Sequence, residues 1–167
     1  LLKKQKVKNV LDVGKFFKDH VIDVEQLIDL FMKNVIIIII LFFLDRATKM
    51  YLIHLHGTGI EIDFYILPFL NFFLIWNTGI GFGLMSMEAN MYYHTITGII
   101  VFVNLVLVYY LIKSKSIQSY MILLVIGGSL GNVFDRIYYY AVPDFIDLHI
   151  GNYHWFVFNV ADIFITI

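Results

Sequence analysis

From residue 92 to residue 112 the chain carries no Asp, Glu, Lys or Arg, and this stretch limits the possible folds more than any other. An α-helix needs about 20 predominantly apolar residues to cross about 30 Å of hydrocarbon, and in lipid it is one of the two structures that satisfy every backbone polar group internally. The stretch is read as a membrane-spanning helix with Asn104 as its most polar interior residue. Composition agrees: 60% of the 167 residues are hydrophobic and only 15% are charged, against roughly 45–50% and 25% in ordinary soluble domains. A net charge of −1 leaves no basic excess for a phosphate backbone, which excludes nucleic acid as a partner on electrostatic grounds. The absence of Cys excludes disulfides, thiolate metal sites and a Cys nucleophile.

Two further spans follow from the same arithmetic. Residues 35–44 are too short alone, and reach the required length only by continuing through Asp45-Arg46-Ala47-Thr48-Lys49 to about Leu55. Residues 121–134 continue into Asp135-Arg136 and the interfacial aromatic cluster Tyr138, Tyr139 and Tyr140. Residues 158–167 start a fourth helix that stops too soon to span, so the native chain is expected to extend further. Residues 61–76, rich in β-branched and aromatic side chains and interrupted by Pro68, read as short strands on the membrane surface. Lys33 before the first span, with Lys113 and Lys115 between the second and third, places those loops in the cytoplasm by the positive-inside rule.

Seven of the twelve basic and five of the thirteen acidic residues fall within residues 1–34. There, apolar positions recur at mixed three- and four-residue spacing, as in an amphipathic helix. Met32-Lys33 resembles a translation start, so residues 1–31 are expected to be an extension of doubtful functional relevance and residues 32–167 the functional domain.

Charges inside membrane helices cost about 2.5–3.5 kcal/mol each on insertion scales, so each calls for a partner or a role. Asp45 and Lys49 stand four apart, acid first, the favourable order for a helix-face ion pair. Asp135 is expected to be satisfied by the adjacent Arg136, with Asn132 one turn earlier. Asp144, assigned to an outer loop after Pro143, and Asp162, near the start of the fourth helix after Asn159, have no basic residue within several positions. A hairpin-like return between them brings both to one depth. Two such carboxylates sharing a proton can activate a water and protonate a leaving amine; independently solvated carboxylates are the alternative. Gly127-Gly128-Ser129-Leu130-Gly131 satisfies G-x-S-x-G, but in an apolar helix rather than the strand–turn–helix context of a nucleophile elbow. His54 and His56 do not share a helical face. Asn77-Thr78-Gly79-Ile80-Gly81-Phe82-Gly83 reads as a sharp surface turn.

Four motifs occur in one order: Asp45-Arg46-Ala47-Thr48-Lys49, Asn77-Thr78-Gly79-Ile80-Gly81-Phe82, Gly127 through Arg136, and Val142-Pro143-Asp144-Phe145 with Phe158-Asn159-Val160-Ala161-Asp162. In these the chain resembles bacterial lipoprotein signal peptidase, signal peptidase II, from about Met32 onward. The resemblance implies a mostly α membrane fold, a bundle of four transmembrane helices with the fourth truncated here, plus a short extracytoplasmic β-cradle. It implies a monomer in the bacterial cytoplasmic membrane that cleaves prolipoproteins, without a cofactor or metal, just before a diacylglyceryl-modified cysteine. The catalytic pair would be Asp144 and Asp162. Asn77, Gly79, Asn132, Arg136, Asn159 and Ala161 match the lining around substrate, Asp45 and Lys49 a pair near the lipid-facing site, and Asp135 a supporting acid. The chain departs from the family at Ile80-Gly81, Ser129 and Pro143. The competing classes are a small proton- or ion-coupled transporter using the same carboxylates, and a scaffold subunit.

Overall fold

The computed structural model describes residues 24–79, 91–114 and 117–167. The expectations for residues 1–23, for Ile80-Gly81-Phe82-Gly83 and for Lys115 lie outside the described residues. Five helices and strands precede a closing hairpin and helix: α1 (Val24–Gly57), β1 (Asp63–Leu67), β2 (Leu70–Asn77), α2 (Met91–Lys113), α3 (Ile117–Tyr138), β3 (Val142–Ile150), β4 (Tyr153–Phe158) and α4 (Val160–Thr166). Residues 24–35 form the leading turns of α1, and Ile36–Ile167 is one compact unit.

Three helices are long and apolar enough to cross a membrane, among the described residues. With 34 residues, α1 rises about 50 Å at roughly 1.5 Å per residue, well beyond the hydrocarbon thickness. It begins upstream of Met32, so the helix does not start where the charge pattern changes. The third helix is the enclosed one: 56% of its apolar window is buried, against 17% for α2. Its small residues account for this. A Cβ at Gly127 would meet Leu41 of α1, one at Gly128 the carbonyl of Ala161, and one at Gly131 the carboxylate of Asp45. The glycines of the G-x-S-x-G match are therefore contact points that let backbones approach closely. Leu111, Leu123 and Ile126 form a buried cluster between α2 and α3.

The strands form one antiparallel sheet in the order β1-β2-β3-β4. As expected, residues 61–76 supply two strands, and Pro68 with Phe69 makes the turn between them. Two placements differ from the sequence reading. Asp144 lies inside β3, paired with Ile75 of β2, and not in a loop. Pro143 is tolerated because the β4 ladder begins only at Ile146, so β3 has a neighbour on one side at that point, an edge position that suits a residue without an N–H. Phe158 ends β4, and the fourth helix starts at Val160 with Asn159 as its N-cap. Tyr140, with φ 58°, takes the left-handed conformation that stops α3 and turns the chain into β3. The sheet packs on α1 through Leu52, Ile62, Phe145 and Ile146.

Candidate active site

The turn from β4 into α4 gathers the two acids. Asn159 and Asp162 form a capping box: Asn159 Oδ1 accepts from the Asp162 N–H at 3.1 Å, and Asp162 Oδ2 accepts from the Asn159 N–H at 3.1 Å. This reciprocal arrangement satisfies two donors that a helix start leaves open. The same Asn159 side chain donates from Nδ2 to Asp144 Oδ1 at 2.6 Å. One amide thus bridges β3 and α4 and joins Asp144 to Asp162.

Two more amides complete the frame. Asn77, the last residue of β2, donates to Asp144 Oδ2 at 2.8 Å, and its own Oδ1 accepts from the Gly79 N–H at 2.9 Å. Asn132 of α3 donates to Asp162 Oδ1 at 2.8 Å, and its Oδ1 accepts from Lys49 Nζ at 2.8 Å. In all three amides a dedicated donor faces Oδ1, so Nδ2 must face the carboxylate. Asp144 and Asn159 are 1% and 0% exposed. Burial, with the negative charge of Asp162 adding to it, pushes the Asp144 carboxyl up to about 6, against the opposing pull of the Asn77 and Asn159 amides and of Lys49.

A second cluster stands behind the first. Lys49 Nζ donates to Asp45 Oδ2 at 2.7 Å and to Asp135 Oδ2 at 2.7 Å, and all three side chains are fully buried. Asp45 Oδ1 accepts from the Ala161 N–H at 2.9 Å, tying α1 to the first turn of α4. Arg46 pairs with Asp135 Oδ1 and lies over the rings of Phe134 and Tyr139, 4.6 and 5.6 Å from their centroids. Two cations and two carboxylates thus neutralise one another inside the helix layer.

This corrects one expectation. Asp135 is satisfied by Arg46 and Lys49, not by Arg136, because consecutive helix residues point about 100° apart and do not face each other. Arg136 instead donates to the carbonyls of Asn132 and Gly79, each at 3.3 Å, holding the Asn77–Gly79 turn against α3. The Asp45–Lys49 pair forms at the spacing expected, with both side chains buried. Asp45, Lys49, Asn77, Gly79, Asn132, Asp135, Asp144, Asn159, Ala161 and Asp162 are brought into one hydrogen-bonded assembly, and Arg136 flanks it. One buried acid escaped the sequence reading. Asp147, fully buried, meets the ring of His154 at 2.8 Å across the β3–β4 hairpin; its only signal was an acid inside an apolar strand.

What this arrangement offers is a pair of carboxylates held by neutral amides and a backbone N–H, with no cation in direct contact among the described residues. One can be protonated while the other is ionised, the requirement for activating a water.

Comparison with known proteins places most of the chain in a family. The family model described as "Signal peptidase (SPase) II" matches residues 37–167. A lipoprotein signal peptidase of Pelagibacter ubique is 50% identical over 137 residues, 82% of each chain. That of Anaplasma phagocytophilum is 37% identical over 136 residues, 80% of this chain and 84% of its own. A bacterial membrane enzyme solved by the in meso method at 2.3 Å resolution superposes with a TM-score of 0.63 and 32% identity over 80% of each chain. A matched model over most of the length, relatives well above 30% identity and a shared three-dimensional fold agree: the chain belongs to the signal peptidase II family.

Proposed function

We propose that Asp144 and Asp162 are the catalytic pair of a membrane aspartic endopeptidase that removes signal peptides from prolipoproteins, cutting just before the diacylglyceryl-modified cysteine. The observation that carries this reading is Asn159, whose side-chain Nδ2 donates to the Asp144 carboxylate and whose backbone N–H donates to the Asp162 carboxylate. It fixes their mutual orientation while leaving each carboxylate a free lone pair. The ionised carboxylate takes a proton from a water, which attacks the scissile carbonyl; the protonated one stabilises the developing oxyanion. As the tetrahedral intermediate collapses, a proton passes to the leaving amine and the pair returns to its shared-proton state. Asn77 and Asn132 keep the acids in register, and Arg136 holds the Asn77–Gly79 turn in place. Asp45, Lys49 and Asp135 act as the buried support on which Asn132 and α4 rest.

The site lies where α1 and α3 end and the sheet begins, at the end opposite Lys113. With Lys33 and Lys113 cytoplasmic, the acids face the outer side of the bacterial inner membrane, where a monomer meets its substrate and the surrounding lipid. The transporter reading has no support from the relatives, which are peptidases by name. The test is incubation of the membrane-inserted chain with a lipidated prolipoprotein peptide and mass analysis of the products. Cleavage at the bond immediately before the lipidated cysteine, leaving that cysteine as the new amino terminus, is expected, and it should be lost in Asp144→Asn and Asp162→Asn. An uncut peptide with the wild-type chain would overturn the reading.

A further inference from the structure

Asn104 lies in the middle of α2 and is 7% exposed. Its Nδ2 donates to the Ile100 carbonyl at 2.8 Å and to Ser129 Oγ of α3 at 2.7 Å. A backbone carbonyl can only accept, so the atom facing Ile100 must be the nitrogen and both of its protons are spent. The carbonyl oxygen Oδ1 is buried and meets no donor among the described residues. An acceptor left unmatched at membrane depth is costly unless a donor arrives.

Asn104 lines a cavity of about 320 Å³ together with Ser129, Asn132, Arg136 and Asp162; most of the remaining lining is aliphatic. The cavity therefore runs from a proposed catalytic acid into the helix layer. Ile99 and Val103 on its rim are 56% and 47% exposed, which opens it toward the bilayer. Its chemistry suits an apolar chain segment that brings one N–H. A helical peptide satisfies its own N–H groups, whereas an extended one does not. We infer that Asn104 Oδ1 accepts a hydrogen bond from a backbone N–H of an extended segment of the signal peptide, and that Ser129 holds the amide in the orientation this requires. The inference rests on the peptidase reading and adds to it where and in what conformation the substrate lies.

The position of that N–H follows from the geometry. Ser129 precedes Asn132 by three residues, about 4.5 Å of helix rise, on the side away from the outer surface. An extended chain advances roughly 3.3 Å per residue. Asn104 thus meets the N–H one to three residues upstream of the scissile bond, on the signal-peptide side.

The test uses lipidated prolipoprotein peptides in which one upstream amide at a time is replaced by an ester, which deletes a single N–H. With the wild-type chain in liposomes, one of the three positions should raise KM by about threefold to tenfold with kcat nearly unchanged, the range of one neutral hydrogen bond. In Asn104→Leu, KM for the all-amide peptide should rise by a similar factor and that ester should cost nothing further, a coupling that a purely structural asparagine would not produce. If Asn104→Leu does not fold, Ser129→Ala supplies the comparison and should shrink the ester effect at the same position. Equal KM for every ester in the wild type, or an undiminished ester effect in the variants, would overturn the inference while leaving the peptidase intact. Failure of the wild type to cut the all-amide peptide would overturn both.

Discussion

The molecule buries carboxylates in two neighbouring places and treats them in opposite ways. Asp45 and Asp135 are matched by Lys49 and Arg46, cation to anion, and tie α1, α3 and the start of α4 together. Among the described residues, Asp144 and Asp162 are met only by amides and a backbone N–H. A carboxylate whose oxygens are taken up by an ammonium or guanidinium group serves to hold elements together. One facing neutral donors stays close to the point where either protonation state is accessible, and the Asp144 carboxyl, pushed up to about 6, is in that condition. The first cluster is a fastening and the second the proposed reaction centre, and the Asn132 side chain links them, accepting from Lys49 and donating to Asp162.

The contrast breaks first, and most severely, at the acids. Asp144→Asn and Asp162→Asn should each lower kcat by about 10²-fold or more, the scale of lost general acid–base catalysis. The melting temperature in detergent should move by only a few degrees, because an amide fills the same space. An equal loss of stability and activity would place the acids in the fastening.

Lys49→Met should show the reverse order. Removing one partner of a buried ion cluster leaves uncompensated charge and costs about 3–5 kcal/mol, read as a lower melting temperature and lower yield of inserted protein. Because Asn132 also loses the donor that orients it, the protein that does fold should show reduced kcat with KM little changed. A raised KM with intact stability would instead put Lys49 in contact with substrate.

Gly131→Ala comes next, at about 1–3 kcal/mol of destabilisation for overpacking, since the new methyl group would press on the Asp45 carboxylate. Gly57→Ala, where a Cβ meets nothing within 4 Å, is the control and should be close to neutral.

The smallest effect is graded by pH. Raised affinity for a proton means Asp144 carries one below about 6 and loses it above. The free enzyme's kcat/KM should therefore fall on the alkaline side once the pair no longer holds its shared proton, with a second limb at lower pH where both acids are protonated. The same sign holds for stability. With the folded pKa above the unfolded value, Asp144 favours the folded state fully only below the unfolded carboxylate range, and that contribution fades as pH rises through about 6. Asp144→Asn should remove this part of the pH dependence in a thermal-melt series.

Much of this was legible in the sequence where the signal is local. The long apolar runs specify helices because lipid leaves few alternatives, and the Asp45–Lys49 pair follows from helical spacing alone. Partners far apart in the chain were not legible. Asp135 has Arg136 beside it in sequence, yet its cations come from α1, 86 and 89 residues away. Asp144 reads as a loop residue because Pro143 precedes it; only the late start of the β4 ladder shows why a strand tolerates that proline. The Asp147–His154 contact depends on the register of one hairpin, which composition does not reveal.

The central claim is that Asp144 and Asp162 work as one unit, and a double-mutant cycle on cleavage of the lipidated peptide tests it most directly. Residues acting in one step are strongly non-additive, so the Asp144→Asn/Asp162→Asn chain should be scarcely slower than either single variant. Two modest losses that multiply in well-folded protein would contradict it.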